Sequence, residues 1–289
     1  MNNLLEIKGL GKKFSNFTLQ DIHLELEPGY IMGLVGGNGA GKTTTINLIL
    51  NKIGRDSGEI KVFGLDLLVH EKEVKQDIGV IFDEAGIASE WTLKEVENAY
   101  KPFYKRWDSQ KYYAYLEEFG LNVHTKVKDL SRGMTVKLML ATAFAHHAKL
   151  LILDEPTSGL DPASRDALME MLQAYIEDGT KSVLFSTHIT SDLEKVADYI
   201  TCIDHGELFY TGTKDDLLEQ YRRIKGGPNT YKGYEQWIIG LRRYTTGFEG
   251  MVRVKDLSHM NNSFEVEKLS IEDILVFINR EGKRNDRKH

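Results

Sequence analysis

Gly36-Gly37-Asn38-Gly39-Ala40-Gly41-Lys42-Thr43-Thr44 follows the apolar run Ile31–Val35 and precedes Ile46, Leu48, Ile49 and Ile53 at helical spacing. It fits G-x-x-x-x-G-K-[ST], with Gly36, Gly41, Lys42 and Thr43 at the fixed positions of a strand, loop and helix. Glycines at 36, 37, 39 and 41 let the backbone turn its N–H groups inward around β- and γ-phosphates, with Asn38 and Ala40 between them. The helix that follows aims its positive end at the same anion. Lys42 adds a full charge, Thr43 offers a hydroxyl to Mg²⁺, and Thr44 reaches an α-phosphate oxygen. A glycine turn before a core helix is the plain alternative, but chance matches seldom fall between a strand and an amphipathic helix.

Outward from this loop, residues 5–10 and 19–26 alternate apolar and polar side chains and read as half-exposed antiparallel strands. Phe14, between them, is by itself core or sheet-edge packing. Downstream, Gly54 and Asp56-Ser57-Gly58 stop the helix, 59–63 starts a strand, and 78–82 is a short buried strand ending in Asp83-Glu84. From about 85 to 145 the strand signal vanishes, and the helical subdomain is expected at about 85–147. Residues 91–103, 109–119 and 135–144 read as helices of an inserted helical subdomain, packed by Trp91, Trp107, Tyr112, Tyr113 and Tyr115.

Two continuous apolar strands follow, one ending in Asp154-Glu155-Pro156 and one in Thr187-His188. Such runs alternating with helices are parallel strands covered on both faces, and ligands gather at their carboxyl ends. There Asp154 can hold Mg²⁺ opposite Thr43, and Glu155 can polarise the water that attacks a γ-phosphate in line. Adjacent carboxylates would otherwise be a helix cap. His188 alone would be a structural histidine; beside this site it becomes a γ-phosphate sensor. Residues 198–204 and 207–210, joined by His205-Gly206, read as a hairpin. Beyond Arg222 the pattern changes: 225–229 is a loop, 251–254 and 264–266 are strand-like, and Ser270 caps a helix carrying Ile271, Ile274, Leu275 and Ile278. Residues 1–222 are thus expected to form the nucleotide-binding domain and 223–289 a small α+β appendage.

With 41% hydrophobic and 28% charged residues the chain has the balance of an ordinary globular protein. A net charge of −6 gives no global drive toward nucleic acid. The basic cluster Arg280, Lys283, Arg284, Arg287 and Lys288 reads as a solvated end, with anionic lipid as the other reading. One cysteine, Cys202, allows no intramolecular disulfide and suits a reducing compartment. The first ten residues lack a basic segment followed by a long apolar one, so no secretory signal is expected, and no stretch reaches 18 consecutive apolar residues.

Together these residues resemble the ATP-binding subunit of an ABC transporter, over about residues 4–212. The phosphate loop resembles the family's Walker A, and Leu150–Pro156 its Walker B with Glu155 as the catalytic glutamate. Ser158-Gly159-Leu160-Asp161 looks like the D-loop, Ser186-Thr187-His188 like the switch-histidine region, and Phe14 like the aromatic that stacks on adenine. Leu130-Ser131-Arg132-Gly133-Met134, its serine 23 residues before Asp154, resembles the signature sequence. The resemblance implies a P-loop α/β fold of ABC type: a mixed sheet core, an antiparallel β subdomain, the inserted helices, and here an α+β appendage. It implies ATP and Mg²⁺ as cofactors, with Asp83, Asp154 and Thr43 around the metal. Ser131, Gly133 and Met134, at the start of a helix, offer donors and a positive dipole to a γ-phosphate, yet lie across the domain from Lys42. In the family, two subunits pack head to tail with each nucleotide between one Walker A and the other's signature. Implied partners are therefore a second ATP-binding subunit and separate integral membrane permease subunits, at the cytoplasmic face of the membrane, with no nucleic acid.

Two departures stand out. Asp83 occupies a position where the family usually has Gln, and the signature carries Arg132 and Met134 in place of Gly and Gln. Both are features of the subgroup most resembled, the ATPases of bacterial exporters for drugs and antimicrobial or cytolytic peptides. The alternatives are a non-transport ABC ATPase of DNA repair or translation, which would carry a long coiled coil or a second cassette, and a non-hydrolysing regulator, which would not need Glu155.

Overall fold

The computed structural model describes residues 3–82, 86–260 and 264–286, with side chains to residue 282. Its strands are β1 (Leu5–Lys13), β2 (Thr18–Leu26), β3 (Ile31–Val35), β4 (Ser57–Val62), β5 (Leu65–Asp66), β6 (Ile78–Ile81), β7 (Leu150–Asp154), β8 (Ser182–Thr187), β9 (Tyr199–Asp204) and β10 (Glu207–Thr213), then β11 (Tyr221–Gly226), β12 (Ile239–Arg243), β13 (Phe248–Arg253) and β14 (Glu265–Glu267). The helices are α1 (Lys42–Ile49), α2 (Glu71–Val74), α3 (Leu93–Tyr100), α4 (Ser109–Glu118), α5 (Arg132–Ala145), α6 (Pro162–Ile176), α7 (Thr190–Val196), α8 (Lys214–Gln220) and α9 (Ile271–Asp286).

Every residue of β3, β7 and β8 is buried, as the unbroken apolar runs require of strands covered on both faces. They lie in a six-stranded sheet, order β10-β9-β3-β8-β7-β6, parallel except for the edge strand β10. The register levels the carboxyl ends: Val35 pairs with Thr187 and Asp154 with Ser186. The phosphate loop and the acidic pair therefore leave the sheet at one edge. A second sheet, β2-β1-β4-β5, is antiparallel and shares one core with α1 and one face of the six-stranded sheet, Met32, Leu34, Ile152 and Leu184 among it.

The helical insertion is stabilised by its caps. Thr92 and Glu95 form a reciprocal capping box on α3, and Asp108 accepts the Lys111 N–H at 3.0 Å to start α4. The expected helix over 91–103 is shorter, because Pro102 turns its end into a 3₁₀ segment over Lys101–Phe103. At the far end of α5, His146 stacks on Tyr104 with ring centroids 3.9 Å apart, and its Nδ1–H donates to Gln76 O at 3.2 Å. Burial pushes this imidazole down from 6.5 to about 4. The unfolded chain therefore takes up the proton first. Stability carried by the neutral ring is intact above pH 6.5 and is lost as pH falls toward 4, by up to about 3 kcal/mol. The melting temperature of the wild type should fall more steeply over that window than that of His146→Gln; parallel profiles would contradict the assignment.

The third sheet, β12-β13-β11-β14, is antiparallel and encloses Ile224, Tyr231, Ile238, Phe248 and Phe264. Here the sequence reading needs correction. Lys225 and Gly226, expected in a loop, end strand β11, and β12 was not expected at all. Both strands alternate weakly: Arg222, Arg223 and Lys225 dilute the pattern of β11, and Arg242 and Arg243 close β12. The α9 cap is as expected, with Ser270 Oγ accepting the Asp273 N–H at 3.1 Å and the Ser270 N–H donating to Asp273 Oδ2 at 3.2 Å. Among the described residues no helix is long and apolar enough to cross a membrane.

Candidate functional site

The loop between β3 and α1 is built around its lysine. Gly41, with φ 117°, caps α1, a conformation that a side chain would strain. Lys42 is 7% exposed, and its ammonium donates to Gly36 O at 3.0 Å and Gly37 O at 3.3 Å and stands 3.6 Å from Glu155 Oε1. The cation thus waits on groups that an incoming phosphate can replace. Asn38, Gly39 and Thr43 are exposed, Thr44 is half-buried, and Ala40 is buried beneath the loop.

Glu155, immediately after β7, has φ 49°, a left-handed backbone uncommon for a residue with a side chain. The turn is held by Glu155 N–H donating to Ser186 Oγ at 2.9 Å and by Ser158 N–H donating to Glu155 O at 3.2 Å. It directs the carboxylate across the strand end, where Oε2 accepts His188 Nδ1–H at 2.7 Å and the His188 main-chain N–H at 3.3 Å. A carboxylate acceptor places the hydrogen on Nδ1. Asp154 is 8% exposed; its Oδ1 accepts Ser186 Oγ–H at 2.5 Å and Thr43 Oγ1–H at 3.3 Å. The structure therefore brings together Lys42, Thr43, Asp154, Glu155 and His188. Asp83 lies outside the described residues.

Phe14 is 40% exposed, 6.3 Å from the Phe17 ring, and Phe17 Cζ lies 3.1 Å from where a Cβ on Gly41 would sit. Phe14 is thus exposed next to Phe17, which packs at the loop, with the Lys12 ammonium 6.0 Å over its ring. Ser131 caps α5, its Oγ accepting Met134 N–H at 3.3 Å, and remains exposed. Gly133 faces Leu160 and Ser164. Asp161 caps α6 by accepting Ala163 N–H and Ser164 N–H at 3.0 Å each, and the Ser164 hydroxyl, donating to its Oδ2 at 2.5 Å, together with these bonds holds its carboxyl below the ordinary range. Gly159, φ 74°, forms the exposed bend between Ser158 and Leu160.

Sequence reasoning left two contributors unnamed, Phe17 and Asp192, and gave no role to a third, Ser186. Ser186 links the Asp154 carboxylate to the Glu155 main-chain N–H; its place two residues before His188 on a buried strand was the available signal for that role. Phe17 packs at the loop, a place that the alternation of the strands around it does not signal. Asp192, on α7, accepts Thr157 Oγ1–H at 2.7 Å, and burial pushes its carboxyl up despite Arg165 at 3.9 Å. That bond ties the D-loop segment to the helix following His188.

The family model described as ABC transporter matches residues 19–158. The linearmycin resistance ATP-binding protein LnrL of Bacillus subtilis is 31% identical over 265 residues, 90% of this chain and 81% of that one. The chain belongs to the ABC transporter ATP-binding family. The bacitracin transport ATP-binding protein BcrA of Bacillus licheniformis is 29% identical over 280 residues, 94% of this chain and 91% of its own. A solved structure described as the ATP-binding subunit of an ABC transporter superposes with a TM-score of 0.69 at 30% identity, over 75% of this chain and 92% of that one. The fold is accordingly that of an ABC ATPase, with a P-loop core and added antiparallel sheets and helices. The domain of this family binds ATP.

Proposed function

We propose that this ABC ATP-binding subunit hydrolyses ATP, packed head to tail with a second ATP-binding subunit around two nucleotides, and drives export through separate membrane subunits. The observation that carries hydrolysis is the Glu155 carboxylate, held by His188 on one oxygen and 3.6 Å from Lys42 on the other. A base in that place orients the attacking water and takes its proton, while Lys42 leaves the Gly36 and Gly37 carbonyls for the phosphates. Thr43 Oγ1 and Asp154 Oδ1, 3.3 Å apart, are hard oxygen donors that suit Mg²⁺. When bound, Mg²⁺ neutralises charge on the β- and γ-phosphates. Asp83 is the further proposed ligand. Phe14 stacks on adenine, the loop from Gly36 to Thr44 wraps the phosphates, and the partner's γ-phosphate meets Ser131, Gly133 and Met134. Residues 158–161 line the contact between subunits.

Residues 1–222, with the helical subdomain at about 85–147, form the ATP-binding domain, and 223–289 the accessory region. A docking face for the membrane subunits is supported by Leu68, Val69 and Phe103, exposed by 55, 75 and 76%. Phe103 borders a cleft with Lys72, Lys75, Gln76 and Lys105, where the helical insertion meets the core. Docking there would keep the subunit at the cytoplasmic face of the membrane. The names of the relatives support a drug or antimicrobial peptide as cargo. Chelating the metal should lower hydrolysis at least about 100-fold, since the metal supplies several kcal/mol of charge stabilisation. Undiminished turnover in excess chelator would overturn the metal assignments.

A further inference from the structure

The C-terminal helix reaches the phosphate loop. A Cβ built on Gly37 would lie 2.5 Å from Asn279 Oδ1, 3.4 Å from its Cγ and 3.6 Å from its Nδ2, so the amide rests against the Gly37 backbone. Gly37 occupies a free position of the loop motif, and its φ lies outside the left-handed region. Neither the motif nor the local backbone asks for glycine there. The missing side chain makes room for α9.

Three residues further along the same helix face, Gly282 repeats the device. A Cβ there would overlap the His205 ring, with Nδ1 at 2.6 Å, in the turn between β9 and β10. That turn supports the phosphate loop, since Gly206 N–H donates to Ala40 O at 3.0 Å. A glycine inside a helix costs about 1 kcal/mol against alanine, and here it permits the close approach. Both contacts converge on residues 36–40.

Other faces of α9 are fixed elsewhere. Glu281 Oε2 accepts the Gly240 N–H at 2.8 Å, Arg280 pairs with Glu249 at 3.2 Å, and Asp273 pairs with Arg223, all joining α9 to the third sheet. Ile271, Ile274, Phe277 and Ile278 are buried in the main core. The helix also contacts α7, which begins two residues after His188. A segment clamped to the third sheet thus touches the phosphate loop directly.

We propose that α9 is a working part of the ATP site, with Asn279 as a positioning residue that holds Gly37 and Asn38 in the phosphate-binding conformation, so that the accessory region sets ATP affinity. The proposal rests on ATP binding at this loop.

The test is a double-substitution cycle in the full chain, reading the ATP dissociation constant with Mg²⁺ alongside the melting temperature. Asn279→Ala is expected to weaken ATP binding about threefold to tenfold, within the range of contacting pairs. Gly37→Ala is expected to weaken it at least about tenfold, its Cβ forcing loop and amide apart. In the double variant the shortened side chain vacates that space, and affinity should return to the level of Asn279→Ala alone. Losses that simply add, or Asn279→Ala with wild-type affinity, overturn the proposal. If the Gly37 variant does not fold, Asn279→Gln decides: its longer amide should press on Gly37 and weaken ATP binding at an unchanged melting temperature, and unchanged affinity overturns the idea. A wild-type chain that did not bind ATP would instead overturn the site itself.

Discussion

Glu155→Gln is expected to lower ATP turnover by about 10²–10⁴ while leaving ATP binding intact, the range for removing a positioned general base. The substitution keeps the shape of the side chain, and the amide oxygen can still accept the His188 Nδ1–H that now reaches Oε2 at 2.7 Å. What goes is the basicity toward water and the negative charge 3.6 Å from Lys42. In the ATP-bound state that charge also faces the γ-phosphate, so its loss favours the loaded state. ATP-bound dimers should accumulate, visible as a doubling of the 32.9 kDa mass with Mg-ATP when two copies pair. Turnover at the wild-type rate would remove Glu155 from its role.

Lys42→Ala should raise the ATP dissociation constant at least about 100-fold, from the loss of charge-assisted hydrogen bonds contributing about 1.5–3 kcal/mol each. Burial sharpens the effect. At 7% exposure the ammonium works where water screens little, and no other cation is bonded to the carbonyls of Gly36 and Gly37 among the described contacts. The loss should be large for ATP and small for AMP, because the lysine serves the β- and γ-phosphates. Calorimetric titration with both nucleotides separates this from general damage. ATP affinity equal to the wild type would contradict the phosphate-loop assignment.

These outcomes hang on residues readable before any fold was known. The Walker A loop and the acidic strand end are short motifs whose chemistry fixes both residue type and spacing, and parallel strands then bring their ends together. Lys42, Asp154, Glu155 and His188 fall into one site for that reason. Less legible was what depends on contacts between distant segments. Ser186 looks like one more buried strand residue until the register sets it opposite Asp154. Strand β12 carries two arginines in five residues, and β11 ends in Lys225-Gly226, so their pairing with β13 decides what propensity leaves open. Gly37 reads as ordinary loop glycine; only the fold reveals Asn279 against it, 242 positions away.

Affinity purification of the tagged full chain from detergent-solubilised membranes, with partners identified by mass and ATPase activity compared bound and free, tests the transport role most directly. A stoichiometric polytopic membrane protein that changes the ATPase rate is the predicted result. Co-purification with ribosomes or DNA-repair proteins, with no membrane protein, would contradict it.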